Sequence, residues 1–210
     1  LALLQIYGQF GGAGADGVWN AVDTLGAGHS LQDTSSAYEQ FSQEFQLTGA
    51  TAQLDYTLGL FWFEDESNYD RKAAFALPLA GRQAEKYTLN TDALALYGQG
   101  TYRFAQLEDR LALTIGMRYT EEKKAVAYNF GRVVSPFGVT PARSTDLDNN
   151  FYNFSYNATV AYDVADNINA FLRYATGYRS GGFNGEIFAN GFDEETIEQV
   201  EVGVKSDWLD

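Results

Sequence analysis

The sequence predicts an all-β fold: an antiparallel up-and-down transmembrane β-barrel, of which this chain carries about seven strands. Three observations lead there. Apolar residues recur with a period of two, the gaps between these segments alternate short and long, and the polar face of the segments is poor in Lys and Glu. The 210 residues include 15% aromatics and 21 glycines but only 3 prolines, which suits many strands joined by flexible loops.

The first strand, 41–48, sets Phe41, Phe45 and Leu47 against Ser42, Glu44 and Gln46. The second, 54–64, alternates similarly, with Phe61 and Phe63 on its polar face. The third, 93–104, opens on "ALALY", a run that suits a helix as well as a strand. The fourth, 110–120, sets Leu111, Leu113, Ile115, Met117 and Tyr119 against Ala112, Thr114, Gly116, Arg118 and Thr120, the alternation of a strand. The fifth, 152–163, repeats it with Tyr152, Phe154, Tyr156, Ala158, Val160 and Tyr162 on one face. The sixth, 168–179, carries Phe171 on its polar side, and the seventh is 198–208.

Short gaps at 49–53, 105–110 and 164–167 alternate with long ones at 67–91, 126–150 and 181–196. All short turns then lie at one end of the sheet and all long loops at the other, as in outer-membrane barrels with periplasmic turns and extracellular loops. On this orientation 37–48 descends, 54–64 ascends, and the direction alternates to 197–208. Residues 1–36 form an extracellular loop, and 37–210 hold the barrel strands. Aromatics gather in two girdles, Phe61-Trp62-Phe63 and Tyr119 near the long loops, and Tyr102, Phe104, Tyr162 and Trp208 near the short turns. A soluble β-sandwich also hides one apolar face, but it does not sort its loops by length and its outer face is usually rich in Lys and Glu.

Composition removes other classes. With no cysteine and one histidine, His29, placed in a glycine-rich loop, thiolate metal sites and imidazole catalysis lack their residues. No nucleophile–base arrangement is visible, so no catalytic residues and no enzyme activity are expected, nor any cofactor or metal. A formal charge of −14 opposes nucleic-acid binding. Asp146 with Asp148, or Asp193–Glu195, could offer oxygen ligands to Ca²⁺ but lack the spacing of a calcium loop, and read as solvated acidic loop residues. No apolar run is long enough for a membrane helix, and a mean hydropathy of −0.28 is compatible with spanning strands. The chain opens on Leu1 without a signal-peptide pattern and reads as a fragment.

The segments "LRYATGYRSGGFNG" and "FDEETIEQVEVGVKSDWLD" closely resemble the barrel of TonB-dependent outer-membrane receptors. The Gly-Tyr-Arg-Ser-Gly-Gly-Phe-Asn run, Glu195-Thr196, Glu201 to Lys205 and Trp208 carry the likeness. "EQFSQEFQLTG", "LDYTLGLFWFEDE" and "LTIGMRYTEEKK" look like further strands of the same barrel. The resemblance implies a plugged barrel of roughly 22 strands in the outer membrane of a Gram-negative bacterium. It would import a scarce solute such as a ferric siderophore, a small molecule or metal chelate, surrounded by outer-membrane lipid. Energy would come from the TonB complex through a segment absent from this chain, as are the plug and the closing C-terminal strand. A passive outer-membrane porin and a soluble β-sandwich binding module are the alternatives.

A lipid-facing side chain must be apolar, so the odd-numbered positions of the last two strands are luminal: Arg173, Arg179, Glu201 and Lys205. These charges either pair with neighbouring strands to fix the barrel wall and plug, the favoured reading, or line a solute path. Arg179, at the mouth, is the exception, where its fork could meet carboxylate or phosphate groups of a solute.

Overall fold

A computed structural model of the protein describes residues 29–76, 80–135 and 138–208. Among the described residues eleven strands follow in chain order: β1 His29–Ala50, β2 Leu54–Ala76, β3 Ala80–Arg103, β4 Leu111–Phe130, β5 Val133–Ser135, β6 Gly138–Thr140, β7 Arg143–Ala165, β8 Ile168–Arg179, β9 Gly182–Asn184, β10 Asn190–Phe192 and β11 Glu195–Ser206. Seven of them form one antiparallel path, β1-β2-β3-β4-β7-β8-β11; β5 and β6 branch from β3, and β9 pairs with β10 apart from the path. A sandwich needs two large facing sheets, and here the wall strands lie in one open sheet.

Register fixes which residues share a face. The outer face carries Phe41, Phe45 and Leu47 of β1, Leu58, Leu60 and Trp62 of β2, Leu94 and Leu96 of β3, Ile115, Met117 and Tyr119 of β4, and Phe154, Tyr156 and Val160 of β7. Leu172 of β8 and Val200, Val202 and Val204 of β11 continue it. All of these large apolar side chains are exposed. A contiguous apolar sheet face of this extent belongs against another apolar phase, and its alternation with a polar inner face is that of a membrane-spanning barrel wall.

The turns at one end are tight. The Thr51 amide donates to the Leu54 carbonyl at 2.8 Å, and the Leu54 amide returns to Thr51 Oγ1 at 3.0 Å. Between β3 and β4 a single 3₁₀ turn, Ala105–Leu107, ends on Glu108 and Asp109 in the left-handed region, at φ 55° and 60°. The third turn, Asp166-Asn167, is pinned by Asn167 Nδ2 donating to the Asp207 carbonyl at 2.9 Å.

At the other end the strands run much further than the alternation of the lower segments foretells. A spanning strand needs about 9–11 residues, whereas β2 has 23 and β3 has 24. Stretches 67–91 and 126–150, expected as loops, are mostly strand: β2 and β3 pair from Leu54↔Tyr102 up to Ala76↔Ala80, and β4 and β7 pair up to Phe130↔Arg143. The expected loop 1–36 is likewise corrected at its end, because β1 starts at His29, whose backbone pairs with Ala76; residues 1–28 lie outside the described ones. Asp146 and Asp148, too, sit within β7.

The buried core lies in this extension, on the inner face. Val126 and Tyr128 are 2% and 1% exposed, and Phe130, Tyr87, Leu89 and Leu147 join them. Segment 182–192 folds over this surface with Phe183 and Phe188. Tyr128 Oη donates to the Asn184 carbonyl at 2.6 Å, and the Arg143 guanidinium lies 4.3 Å from the Phe188 ring centroid. Gly185 rests against the Tyr87 ring, where any side chain would overlap it.

Candidate functional site on the inner wall

The inner face is a polar ladder because alternation assigns it the residues that the outer face cannot carry. Across β1, β3 and β4 it gathers Glu44, Gln46, Tyr97 and Arg118. Tyr97 Oη donates to Glu44 Oε1 at 2.5 Å and accepts from Gln46 Nε2 at 2.7 Å. The tyrosine ring fills the space left by Gly59, its partner across the strands. The Arg118 guanidinium lies 5.5 Å from the Phe61 ring centroid and 5.9 Å from that of Tyr97. Phe61 and Phe63, unexpected on a polar face, stack on each other at 6.4 Å and so give the arginine an aromatic floor.

Higher up, Lys124 Nζ meets Glu122 Oε1 at 3.0 Å, and Ser180 Oγ donates to the same oxygen at 2.6 Å. Arg71 meets Glu85 at 3.1 Å; Glu85 is 3% exposed and also accepts from Gln83 Nε2. At the short-turn end Arg103 meets Asp55 at 2.5 Å. Among the described residues no group of three or more His, Cys, Asp and Glu side chains converges as a metal site would.

The four residues singled out in the sequence all fall on this inner face, on two neighbouring strands. Arg179 pairs in register with Glu195, their charges 3.9 Å apart and 77% and 76% exposed, an ion pair worth little in water. Lys205 sits 5.5 Å from the Phe171 ring centroid. Arg173 and Glu201 stand directly opposite each other, yet no ion pair joins them in the structure.

The family model for the TonB-dependent receptor-like β-barrel matches residues 4–210. The chain belongs to that family. Its barrels are receptors of the Gram-negative outer membrane, so the short turns are periplasmic, the long extensions extracellular, the outer face lipid-facing and the inner face luminal. The fold is similar to that of the ferric yersiniabactin uptake receptor FyuA from Yersinia pestis, at TM-score 0.67 and 20% identity over 88% of this chain. BauA, the ferric preacinetobactin receptor from Acinetobacter baumannii, aligns at TM-score 0.36 and 14% identity over 84% of the chain. This chain spans 28% of the length of FyuA and 33% of that of BauA.

Sequence reasoning placed Glu44 and Arg118 on polar faces without singling them out, and missed Tyr97. Their meeting depends on register across four strands, β1 to β4, and Tyr97 lies 53 residues from Glu44. The signal available was the alternation itself, which puts Tyr97 opposite Arg118 once β3 and β4 are paired.

Proposed function

We propose that this section walls the lumen of an outer-membrane active-transport receptor for a scarce solute of the ferric-siderophore type. A segment of the receptor outside this chain contacts the TonB complex, which supplies the energy. The observation that supports this most is the family match across nearly the whole chain; the uptake role of FyuA, a protein of similar fold, points the same way. Within the wall, Arg173 and Glu201 line the solute path. Arg179 and Lys205 serve the wall itself, through Glu195 and Phe171.

Uptake of radiolabelled ferric siderophores by cells carrying the full-length receptor, with and without an intact TonB system, tests the reading. Uptake that collapses without TonB is expected. Uptake that persists unchanged marks a passive pore and overturns it.

A further inference from the structure

The sequence holds two Asn-Gly dipeptides, Asn184-Gly185 and Asn190-Gly191. Both lie in segment 182–192, and the two asparagines stand directly opposite each other where β9 pairs with β10. An asparagine followed by glycine can react with its own backbone, because a residue without Cβ lets its main-chain nitrogen approach the side-chain amide. That nitrogen attacks the amide carbon. The N–C bond that forms replaces the bond to the NH2 group, which takes up the displaced proton through solvent and leaves as ammonia. Water then opens the cyclic imide at one carbonyl or the other, giving aspartate or isoaspartate.

The fold treats the two sites differently. To reach the side chain, the following nitrogen must swing about the ψ bond of the asparagine, and the asparagine carbonyl, in the same peptide plane, swings with it. At Asn184 this motion is blocked. Its carbonyl accepts from Oη of Tyr128, a residue 1% exposed, at 2.6 Å. Its Oδ1 accepts from the Glu186 amide at 3.0 Å, a local turn that fixes the side chain. Gly185 lies so close to the Tyr87 ring that a methyl group there would overlap it.

At Asn190 the moving atoms carry none of these restraints. All three residues of β10 are exposed, and among the described residues the Asn190 side-chain amide has no hydrogen-bond partner. Its N–H, near Tyr128 Oη and donating to the Ile187 carbonyl at 3.3 Å, stays in place when ψ rotates. Ala189, just before it, has φ 56°, a left-handed conformation disfavoured for alanine. The surrounding ladder has only three residue pairs, and a two-stranded sheet is marginal on its own.

We propose that Asn190-Gly191 is a site of spontaneous deamidation that releases β10 from β9, while the fold protects Asn184-Gly185. The product carries a new carboxylate in the same short stretch as Asp193, Glu194 and Glu195. In the isoaspartate form the backbone runs through the side-chain carbon, so Gly191 and Phe192 lose their register with Phe183 and Gly182.

The test uses the purified full-length receptor in detergent, native and Asn190→Gln, aged at mildly alkaline pH beside a free peptide of residues 180–205. One tryptic peptide spans 180–205 and carries both asparagines, so fragment mass spectra read the two sites against each other. In the folded receptor Asn190 is expected to convert and Asn184 to lag at least about tenfold, since two hydrogen bonds hold it. In the free peptide the two should convert alike. After ageing, chymotrypsin should cut the native protein at Phe188 faster than it cuts Asn190→Gln. Equal conversion in the folded receptor, faster conversion at Asn184, or none at Asn190 overturns the proposal. So does the same selectivity in the free peptide, which would place its cause in the sequence and not in the fold. Equal cleavage of the aged native and Asn190→Gln proteins overturns the release of β10.

Discussion

Up to Trp62 on β2, Leu94 on β3 and Tyr119 on β4 the wall turns its apolar side outward, and above them the same strands turn that side inward. Along β2 the outer positions run Leu58, Leu60, Trp62 and then Glu64, Glu66; along β3 they run Leu96, Leu94 and then Asp92; along β4 they run Met117, Tyr119 and then Glu121, Lys123. The inner positions change in the opposite sense. Arg118 and Thr120 of β4 give way to Val126, Tyr128 and Phe130, which are buried. No strand breaks at the crossing, and the pairing register is continuous through it. A change of solvent accounts for the switch: a lipid surround rewards apolar outer residues, whereas in water apolar residues collapse inward, as they do here under segment 182–192.

Perturbations of matched positions in the two halves sharpen the contrast. The largest effect is expected from Arg71→Ala in the upper half, which leaves Glu85, 3% exposed, without its cation. A cost of about 3–5 kcal/mol follows, read from urea unfolding of the receptor in lipid vesicles. On the outer face Leu60→Arg should cost about 2–4 kcal/mol in the same assay. Glu66→Arg, on the same face of the same strand but above the crossing, should cost almost nothing, and a comparable loss there would mean that lipid extends to Glu66.

The lower half was legible in the sequence because lipid imposes strict alternation: β4 and β7 stand out from Leu111 to Tyr119 and from Tyr152 to Tyr162. The upper half was not, for the same physical reason. Where the apolar face switches sides, the period-two signal loses its phase, and 67–91 reads as loop although residues 67–76 and 80–91 are each paired with a neighbour strand. The gap 181–196 was read as a loop, and alternation could not show that it packs closely on the wall, Gly181 against Phe151 and Gly185 against Tyr87. Arg173, Arg179, Glu201 and Lys205 were placed on the inner face from parity alone, but the partners of Arg179 and Lys205 needed the register.

Smaller effects probe that segment. Phe188→Ala removes a ring packed on Tyr128, Phe130 and Arg143 and should cost about 2 kcal/mol. It should open 182–192 to limited proteolysis while leaving the lower strands resistant. Smallest is a pH effect. Burial pushes the Tyr128 phenol above its ordinary value of 10.0, so above that pH the folded protein holds a proton that the unfolded chain has lost. The stabilisation is complete below about pH 10 and is lost as the pH rises through the higher folded value. Proteolysis of 182–192 should therefore accelerate at high pH in the native protein. Tyr128→Phe, which loses the bond to Asn184 at a cost of about 1 kcal/mol, should remove the part of this pH response that comes from Tyr128.

The inversion itself is tested most directly by spin labels placed singly at positions 58 to 71 of β2 in the full-length receptor reconstituted in vesicles. Oxygen accessibility should alternate through Leu58, Leu60 and Trp62, high at these positions and low at Gly59, Phe61 and Phe63, and should drop away at Glu64 and Glu66 as access to a water-soluble nickel chelate rises there. Alternation that continues unchanged in phase to Arg71, or that is absent from Leu58 to Trp62, would contradict the account.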